Sequence, residues 1–337
     1  MGAPGLDFET WDSANLNARN YSVGDLVALE HPQIARSAYN SRGKDIGMDY
    51  VAPKDLIQEA VLSAKKKSAL SIGDMMVRGT LAGVFLGFAT SLAVVVTAQG
   101  MPPIVGAILF PVGFVMLALL GLELATGNFA LLPAGMAAGE VSFTELLRNW
   151  GWVYFGNLVG SVFYAFLFYL TVTNFGATSS GPVGDLLKTA AQKKTLAYMT
   201  LGSSGWATAF VKGILCNWMV TIGAVLALVS RSTIGKVVAM WLPIMTFFAQ
   251  GFEHSIVNMF IVPAGMMFGA PVSIGQWLLW NQVPVTIGNI VSGAFFTGLA
   301  LYATYRVKPN LSSTTGMAAH GQTEGDVAFA QATGATQ

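Results

Sequence analysis

Two stretches of this sequence decide its fold: GLELATGNFALLPAGM (Gly121–Met136) and GFEHSIVNMFIVPAGM (Gly251–Met266). They share the pattern Gly-x-Glu-x4-Asn-x4-Pro-Ala-Gly-Met without a gap, and their glutamates, Glu123 and Glu253, are 130 residues apart. Each stretch lies in an apolar run that is interrupted by Gly, Pro and polar residues. The pair predicts two broken helices that are copies of one another.

The segments around the two stretches repeat as well. NWGWVYFGNLV (Asn149–Val159) and NQVPVTIGNIV (Asn281–Val291) share Asn-x6-Gly-Asn-[Leu/Ile]-Val and are displaced by 132 residues. Val77–Leu81 and Val211–Leu215 share Val-[Arg/Lys]-Gly-x-Leu and are displaced by 134 residues. Three matches in register predict that one three-helix unit occurs twice. Because an odd number of spans ends on the opposite side of the membrane, the second copy must be inverted.

Composition indicates that the bilayer is the solvent. Of the 337 residues, 53% are hydrophobic and only 10% are charged, whereas soluble domains carry about 25% charged residues. We predict an all-α membrane protein, aquaporin-like in its inverted repeats, whose channel domain covers residues 53–308 and opens with an amphipathic interfacial helix. Six runs are long enough for a crossing, the second and fifth being broken: Ile72–Ala98, Ile104–Met136, Trp150–Asn174, Thr208–Ser230, Lys236–Phe268 and Val283–Arg306.

The remaining segments, residues 1–52 and 309–337, are polar, and we predict that both lie in water with the C-terminal one disordered. Basic residues cluster on one side of alternating spans, so the positive-inside rule puts both termini inside. No basic stripe suggests nucleic acid. The single cysteine, Cys216, excludes a disulfide framework and a Cys-based metal site, and we expect no cofactor.

The predicted chemistry centres on His254, the only histidine within a span. Glu253 precedes it, and Asn258 follows one turn later. Because ionisable groups at this depth are costly, a functional role is expected: His254 meets an anion as a neutral donor or passes it a proton. The alternative is a histidine that only hydrogen-bonds its loop. Thr126, in the first break, is expected to face His254, to cap the following half-helix, or to do both.

We expect the glutamates near the breaks to brace the loops and the aromatic residues to form constrictions. Glu123 and Glu253 are predicted to brace the broken loops by accepting N–H bonds, because a cation site there would lack further acidic ligands. The N-termini of the half-helices carry N–H groups and partial positive charge, which suit an anion. Three phenylalanines are candidates for apolar constrictions that strip water and gate passage: Phe110, Phe114 and Phe247.

These motifs resemble the formate/nitrite transporter family from about Pro53 to Lys308. The most specific piece is GFEHSIVNMF (Gly251–Phe260), supported by KGILCNWMV (Lys212–Val220) and by ATGN (Ala125–Asn128). The resemblance implies a homopentamer of aquaporin-like channels, with one pore per protomer, embedded in a lipid bilayer. It also implies passage of small monovalent anions such as formate, nitrite, lactate, hydrosulfide or bicarbonate, with a variable proton component. An enzyme is disfavoured because His254 has no paired nucleophile or metal-ligand cluster around it.

The resemblance also implies roles for individual residues. By position, His254 is similar to the family's central pore histidine and Thr126 to its loop partner. Phe114 and Phe247 fall at constriction positions, and Leu124 lies beside them at the first break. Asn217 and Asn289 match the asparagines of the fourth and sixth spans.

Two positions depart from the family pattern. Many members carry a vestibule lysine where counting back about twelve residues from the GILCN-type motif gives Leu201 here. Lys193 and Lys194, in the preceding loop, are the candidate substitutes. A bulky aromatic residue often precedes the loop threonine, where this chain has Ala125. The missing ring predicts a wider slit that suits an anion larger than formate.

The sequence leaves alternatives open for both the membrane that holds the protein and its function. The long N-terminal stretch and the altered slit resemble the algal chloroplast branch, associated with nitrite and bicarbonate, which implies a chloroplast envelope; a bacterial-type plasma membrane is the alternative. A non-conducting receptor or scaffold with the same fold is a second reading, and polar residues kept in both repeats argue against it. A neutral-solute pore is a third, opposed by the lack of Asn-Pro-Ala loops with an arginine.

Overall fold

The computed structural model describes residues 49–306, so the predicted polar segments lie almost entirely outside the described residues. Helices dominate the described range, and four of them, α2, α6, α9 and α12, are long and apolar enough to cross a membrane. In chain order the helices are α1 (Pro53–Ser68), α2 (Ile72–Ala98), α3 (Pro103–Leu109), α4 (Pro111–Leu119), α5 (Ala125–Ala137), α6 (Phe143–Val172), α7 (Gly181–Lys194), α8 (Leu196–Thr200), α9 (Ser203–Leu226), α10 (Thr233–Ala249), α11 (Ser255–Met267) and α12 (Ile274–Tyr305).

The first glycine of each repeated motif ends a helix. Gly121 follows α4 with φ +65°, and Gly251 follows α10 with φ +66°. In the first copy the N–H of Leu122 donates to the carbonyl oxygen of Leu117 at 2.9 Å, and the equivalent bond in the second copy is 3.2 Å. This is the Schellman arrangement, which needs a residue in the left-handed region and therefore favours glycine. Both copies then run extended for a few residues before the next helix begins.

The two halves of the chain interlock through the short helices that follow these breaks. Helix α2 packs along α6, and α9 packs along α12. The short helix α5 packs against α12, whereas α11 packs against α6, so each one is covered by the other half of the chain. Every residue of α5 from Ala125 to Gly135 is buried, and so is every residue of α11 from Ser255 to Gly265. Polar backbone at the start of these helices is therefore shielded by protein.

Glycine permits the closest helix contact, between α2 and α6. A Cβ added at Gly83 would lie within 2.9 Å of the backbone nitrogen of Ser161, and one at Gly160 within 2.7 Å of the carbonyl carbon of Thr80. In the second half, a Cβ at Gly288 would come within 3.0 Å of the backbone nitrogen of Ile214 on α9. Small residues let membrane helices pack backbone to backbone, because lipid offers no hydrophobic drive for association.

Some helix ends differ from the predicted spans. Helix α6 begins at Phe143 rather than Trp150, because Ser142 and Glu145 form a capping box there. Helix α12 begins at Ile274 rather than Val283, after a second capping box, and contains two π-helical segments. The loop that was predicted to hold Lys193 and Lys194 contains two helices, α7 and α8.

The close contact of α2 with α6 predicts that Gly83→Ala destabilises the protein by about 1–3 kcal/mol, the usual cost of overpacking. Thermal unfolding and the yield of monodisperse protein in detergent measure this. Gly73→Ala on the same helix is the control, because a Cβ there meets only the Oγ atom of Ser71 at 3.8 Å. Equal melting temperatures for the two variants would contradict the packing argument.

Candidate functional site

Asn157 holds the first broken loop in place. Its Nδ2 atom donates to the carbonyl oxygens of Gly79 at 2.8 Å and Glu123 at 2.9 Å, and its Oδ1 atom accepts from the N–H of Ala125 at 3.0 Å. One side chain on α6 thus joins α2, the extended loop and the first residue of α5. Backbone groups that the helix break leaves without helical partners are satisfied by this amide.

Asn289 holds the second loop in the same way. Its Nδ2 atom donates to the carbonyl oxygens of Gly213 at 2.8 Å and Glu253 at 3.1 Å, and its Oδ1 atom accepts from the N–H of Ser255 at 2.9 Å. The matched Gly-Asn positions of the sequence repeat therefore occupy matched places in the structure. Asn157 and Gly79 were not among the predicted site residues, although the repeated motifs contain them.

The two motif glutamates are buried and paired with lysines. Glu123 accepts from the Nζ atom of Lys67 and from the Nδ2 atom of Asn128, both at 2.8 Å. The carboxylate is 3% exposed and the lysine side chain 19% exposed. A buried charge persists when it is paired and hydrogen-bonded in this way. The carboxylate accepts N–H bonds, as the sequence predicts, but from side chains rather than from the loop backbone.

Glu253 is surrounded similarly, with an added hydroxyl. It accepts from the Nζ atom of Lys194, from the Nδ2 atom of Asn258 and from the hydroxyl of Tyr198, each at 2.8 Å. Lys194 thus comes from the end of α7 to this glutamate and is not an unpaired vestibule charge. Lys193 is exposed beside it, and Leu201 is 59% exposed. Lys67 and Tyr198 carry no sequence motif that marks them.

His254 and Thr126 meet where the two half-helices begin. The Nε2 atom of His254 lies 3.1 Å from the Oγ1 atom of Thr126, and the N–H of Val257 donates to the Nδ1 atom of His254 at 3.2 Å. Because Nδ1 accepts, the ring is neutral and carries its proton on Nε2. Nε2 then donates to Thr126, whose own hydroxyl proton remains able to donate to another group.

The expected capping role of Thr126 is wrong. The residue at the N-cap of α5 is Leu124, with φ −115° and ψ 117°, and no side chain caps that helix. His254 occupies the corresponding place before α11, with φ −107° and ψ 119°, and it does cap its helix through Nδ1. The ungapped match likewise pairs His254 with Leu124, whereas Thr126 pairs with Ile256. Thr126 is therefore free of the cap and available to the centre.

Asn217 connects the first turn of α5 to α12. Its Nδ2 atom donates to the carbonyl oxygen of Thr126 at 3.1 Å and to that of Asn289 at 2.7 Å. Asn217 is fully buried on α9, and within residues 49–306 its Oδ1 atom has no hydrogen-bond partner. The hydroxyl of Ser255 is also buried without a partner in the described part of the chain. The centre thus keeps unused hydrogen-bonding capacity.

Aromatic rings lie next to the histidine. Phe110 stacks on Phe248 with ring centroids 3.9 Å apart and meets Phe247 edge-on at 5.7 Å. The ring of Phe247 lies 5.6 Å from that of His254. Phe114, Leu124 and Ala125 are buried in the same apolar core. An apolar neighbourhood of this kind disfavours water around the polar pair.

No cluster of side chains in the part of the chain that the structure describes is arranged to bind a metal ion. Across residues 49–306 no group of three or more His, Cys, Asp or Glu side chains is placed to hold a metal ion. The glutamates are engaged by lysines, as described above, and His254 by Thr126 and Val257. The centre offers hydrogen-bond donors in an apolar surrounding, which is a setting for a small anion.

Membrane-length helices that enclose two half-helices, with their N-termini at a buried polar centre, define an integral membrane transport protein. The chain belongs to the formate/nitrite transporter family, since the sequence model described as "Formate/nitrite transporter" matches residues 54–303.

Curated relatives agree with this assignment. The chain is 35% identical over 277 residues to "Probable formate transporter" of Methanothermobacter thermautotrophicus, covering 77% of this chain and 99% of that protein. It is 30% identical to "Formate channel BtFdhC" of Bacillus thuringiensis over 77% of this chain and 97% of that protein. It is 32% identical to "Formate channel FocA" of Escherichia coli K12 over 66% of this chain and 84% of that protein.

Solved structures show the same fold. "FNT family ion channel" superposes with a TM-score of 0.63 at 26% identity and covers 74% of this chain and 98% of its own. "Pentameric formate channel with formate bound" superposes with a TM-score of 0.57 at 29% identity, covering 69% of this chain and 97% of its own. The relatives are transporters and channels rather than enzymes.

The loop-holding role predicts that Asn157→Ala and Asn289→Ala each destabilise the protein by about 2 kcal/mol or more, because buried backbone groups lose their partners. Thermal unfolding in detergent measures both. Gln58→Ala, at an exposed position on α1, serves as the control. A melting temperature for either asparagine variant equal to that of the control would show that the loop does not depend on it.

Proposed function

We propose that this protein is a channel for small monovalent anions, with His254 and Thr126 at its centre and formate as the reference substrate. The contact that carries the proposal is the 3.1 Å pair of His254 Nε2 and Thr126 Oγ1 at the start of two buried half-helices. Two relatives are described as formate channels, which supports formate as the substrate. Nitrite and bicarbonate, which carry the same charge as formate, are the other substrates to be ranked.

We propose six membrane crossings arranged as two inverted three-helix repeats, with the second and fifth crossings broken. The matched bonds of Asn157 and Asn289 support the repeat, because residues at the same place in both motifs make the same three contacts. A homopentamer in the bilayer is supported by the superposition on a pentameric formate channel. Basic residues at the ends of the helices support termini on the inner side.

In the proposed passage, the anion loses water beside the aromatic rings and then meets donors. The rings of Phe110, Phe247 and Phe248 narrow the approach to His254. At the centre the anion replaces the Oγ1 atom of Thr126 as the acceptor of the Nε2–H bond of His254. It also accepts a hydrogen bond from the hydroxyl of Thr126. The positive ends of α5 and α11 favour the negative charge. The paired lysines and glutamates stabilise the loops around this point.

His254→Asn tests the centre. We expect it to assemble like the parent protein and to change formate uptake or its dependence on pH, because asparagine replaces the ring donor and cannot titrate. Uptake of radiolabelled formate into liposomes across a pH series measures this, with Gln58→Ala as the matched surface variant. Identical flux at every pH would remove His254 from the mechanism. A folded parent protein that moves no anion would favour a receptor or scaffold instead.

The buried Ala125 supports a wider slit, since the first residue of α5 presents only a methyl group next to the central pair. We propose that this position admits anions larger than formate, with bicarbonate the first to try.

Ala125→Phe is expected to lower bicarbonate uptake by about tenfold relative to formate uptake, the lower end of what a change in pocket size achieves. Competing uptake of the two labelled anions into the same liposomes gives this ratio directly. Ala107→Phe is unsuitable as a control because that site is also buried, so Ala137→Phe, at an exposed position at the end of α5, serves instead. An unchanged ratio would mean that residue 125 does not set the width.

A further inference from the structure

The matched halves allow one contact to be derived from another. Residues 121–136 and 251–266 are related by a displacement of 130, and the helices before them, Pro103–Leu119 and Thr233–Ala249, share this displacement at both ends. Tyr154 and Thr286, which the 132-residue displacement relates to each other, hydrogen-bond at 2.7 Å. Two equivalent residues in mutual contact lie on either side of the two-fold axis that relates the halves, so this axis passes between Tyr154 and Thr286.

Rotation about this axis converts the central polar pair into an apolar pair. His254 corresponds to Leu124 and Thr126 corresponds to Ile256. By the same displacement, the pair formed by His254 and Thr126 corresponds to the pair of positions Leu124 and Ile256. Leu124 is 4% exposed and Ile256 is fully buried, and both belong to one apolar core. In the second copy the N-cap residue, His254, faces the second residue of α5, and the two-fold relation puts Leu124 and Ile256 in the equivalent positions.

The aromatic slit beside His254 has an aliphatic counterpart by the same rotation. Phe247, whose ring lies 5.6 Å from that of His254, corresponds to Leu117. Phe110, which meets Phe247 edge-on, corresponds to Met240. Leu117 and Met240 are both buried. One side of the axis therefore has the polar pair beside phenyl rings. The equivalent place on the other side has Leu124 and Ile256 beside aliphatic side chains.

We infer that Ile256 is a specificity-determining residue, which forms with Leu124 the aliphatic constriction that an anion crosses after leaving His254 and Thr126. The inference rests on the proposed channel function. Neither aliphatic side chain has a group that hydrogen-bonds an anion, so among anions of equal charge, passage here depends on the space that the two side chains leave open. Discrimination by apolar side chains follows the volume that they leave open. Ile256 thus restricts larger anions, whereas the polar pair selects for charge.

The test compares lactate and formate uptake into liposomes that hold the parent protein, Ile256→Ala or Ile256→Val. The ratio of lactate to formate uptake is expected to rise about tenfold for Ile256→Ala and less for Ile256→Val. Ile261→Ala is the control, because it makes the same change on the same buried helix, five residues further from the break. Its uptake ratio is expected to stay at the parent value.

The outcomes separate the two levels of the account. If the parent moves formate and neither Ile256 variant differs from Ile261→Ala in the ratio, Ile256 does not determine specificity and the inference is overturned. If Ile256→Ala does not assemble, Ile256→Val decides the matter by the same comparison. If the folded parent moves neither anion, the proposed function is overturned first, and the inference falls with it.

Discussion

The structure depends on satisfying backbone polar groups where two helices break inside an apolar environment. Lipid offers no hydrogen bonds, so each open N–H and C=O group at that depth would cost several kcal/mol. Asn157 and Asn289 meet this requirement, each with one amide that binds two carbonyl oxygens and one N–H group. The glycines that end α4 and α10 and the tightly packed pairs α2–α6 and α9–α12 place these asparagines within reach.

The two halves share their supporting residues but differ in the residues at the centre. Gly121 and Gly251 end their helices alike, and the two loop asparagines make the same three contacts. Glu123 and Glu253 each pair with a lysine and an asparagine, and Glu253 also accepts from the hydroxyl of Tyr198. At the centre, by contrast, His254 stands where the other half has Leu124, and Thr126 stands where it has Ile256. A duplicated scaffold keeps the breaks stable, and the unmatched residues give the centre a polar side and an apolar side. In the proposed channel, selection for charge and selection for size then act at different points of the anion path.

Much of this fold follows from the pattern of the sequence. Four long apolar helices, α2, α6, α9 and α12, cover the first, third, fourth and sixth predicted spans, and the Gly-x-Glu motif marks where α4 and α10 end. His254 and Thr126 were predicted to face each other, and they lie 3.1 Å apart. The repeat also contained the loop asparagines, because the Gly-Asn pairs of α6 and α12 are matched. The capping box at Ser142 and Glu145 was readable from its spacing, and it moves the start of α6 to Phe143.

Other features could not be read from one sequence. Lys67 and Lys194 reach their glutamates from α1 and α7, and their partners depend on how those helices fold back on the core. Helices α7 and α8 are short, and their pattern is weak beside the long apolar runs. His254 caps α11, whereas Thr126 does not cap α5, because each role depends on the residue at which the half-helix begins. These are tertiary outcomes, and local propensity does not determine them.

An experimental structure of the protein in lipid, determined with formate present, tests the central claim most directly. The account predicts a formate-sized feature within hydrogen-bond distance of His254 Nε2 and Thr126 Oγ1, between the first turns of α5 and α11. A direct His254–Thr126 contact that stays closed, with formate bound only at the protein surface, would contradict it.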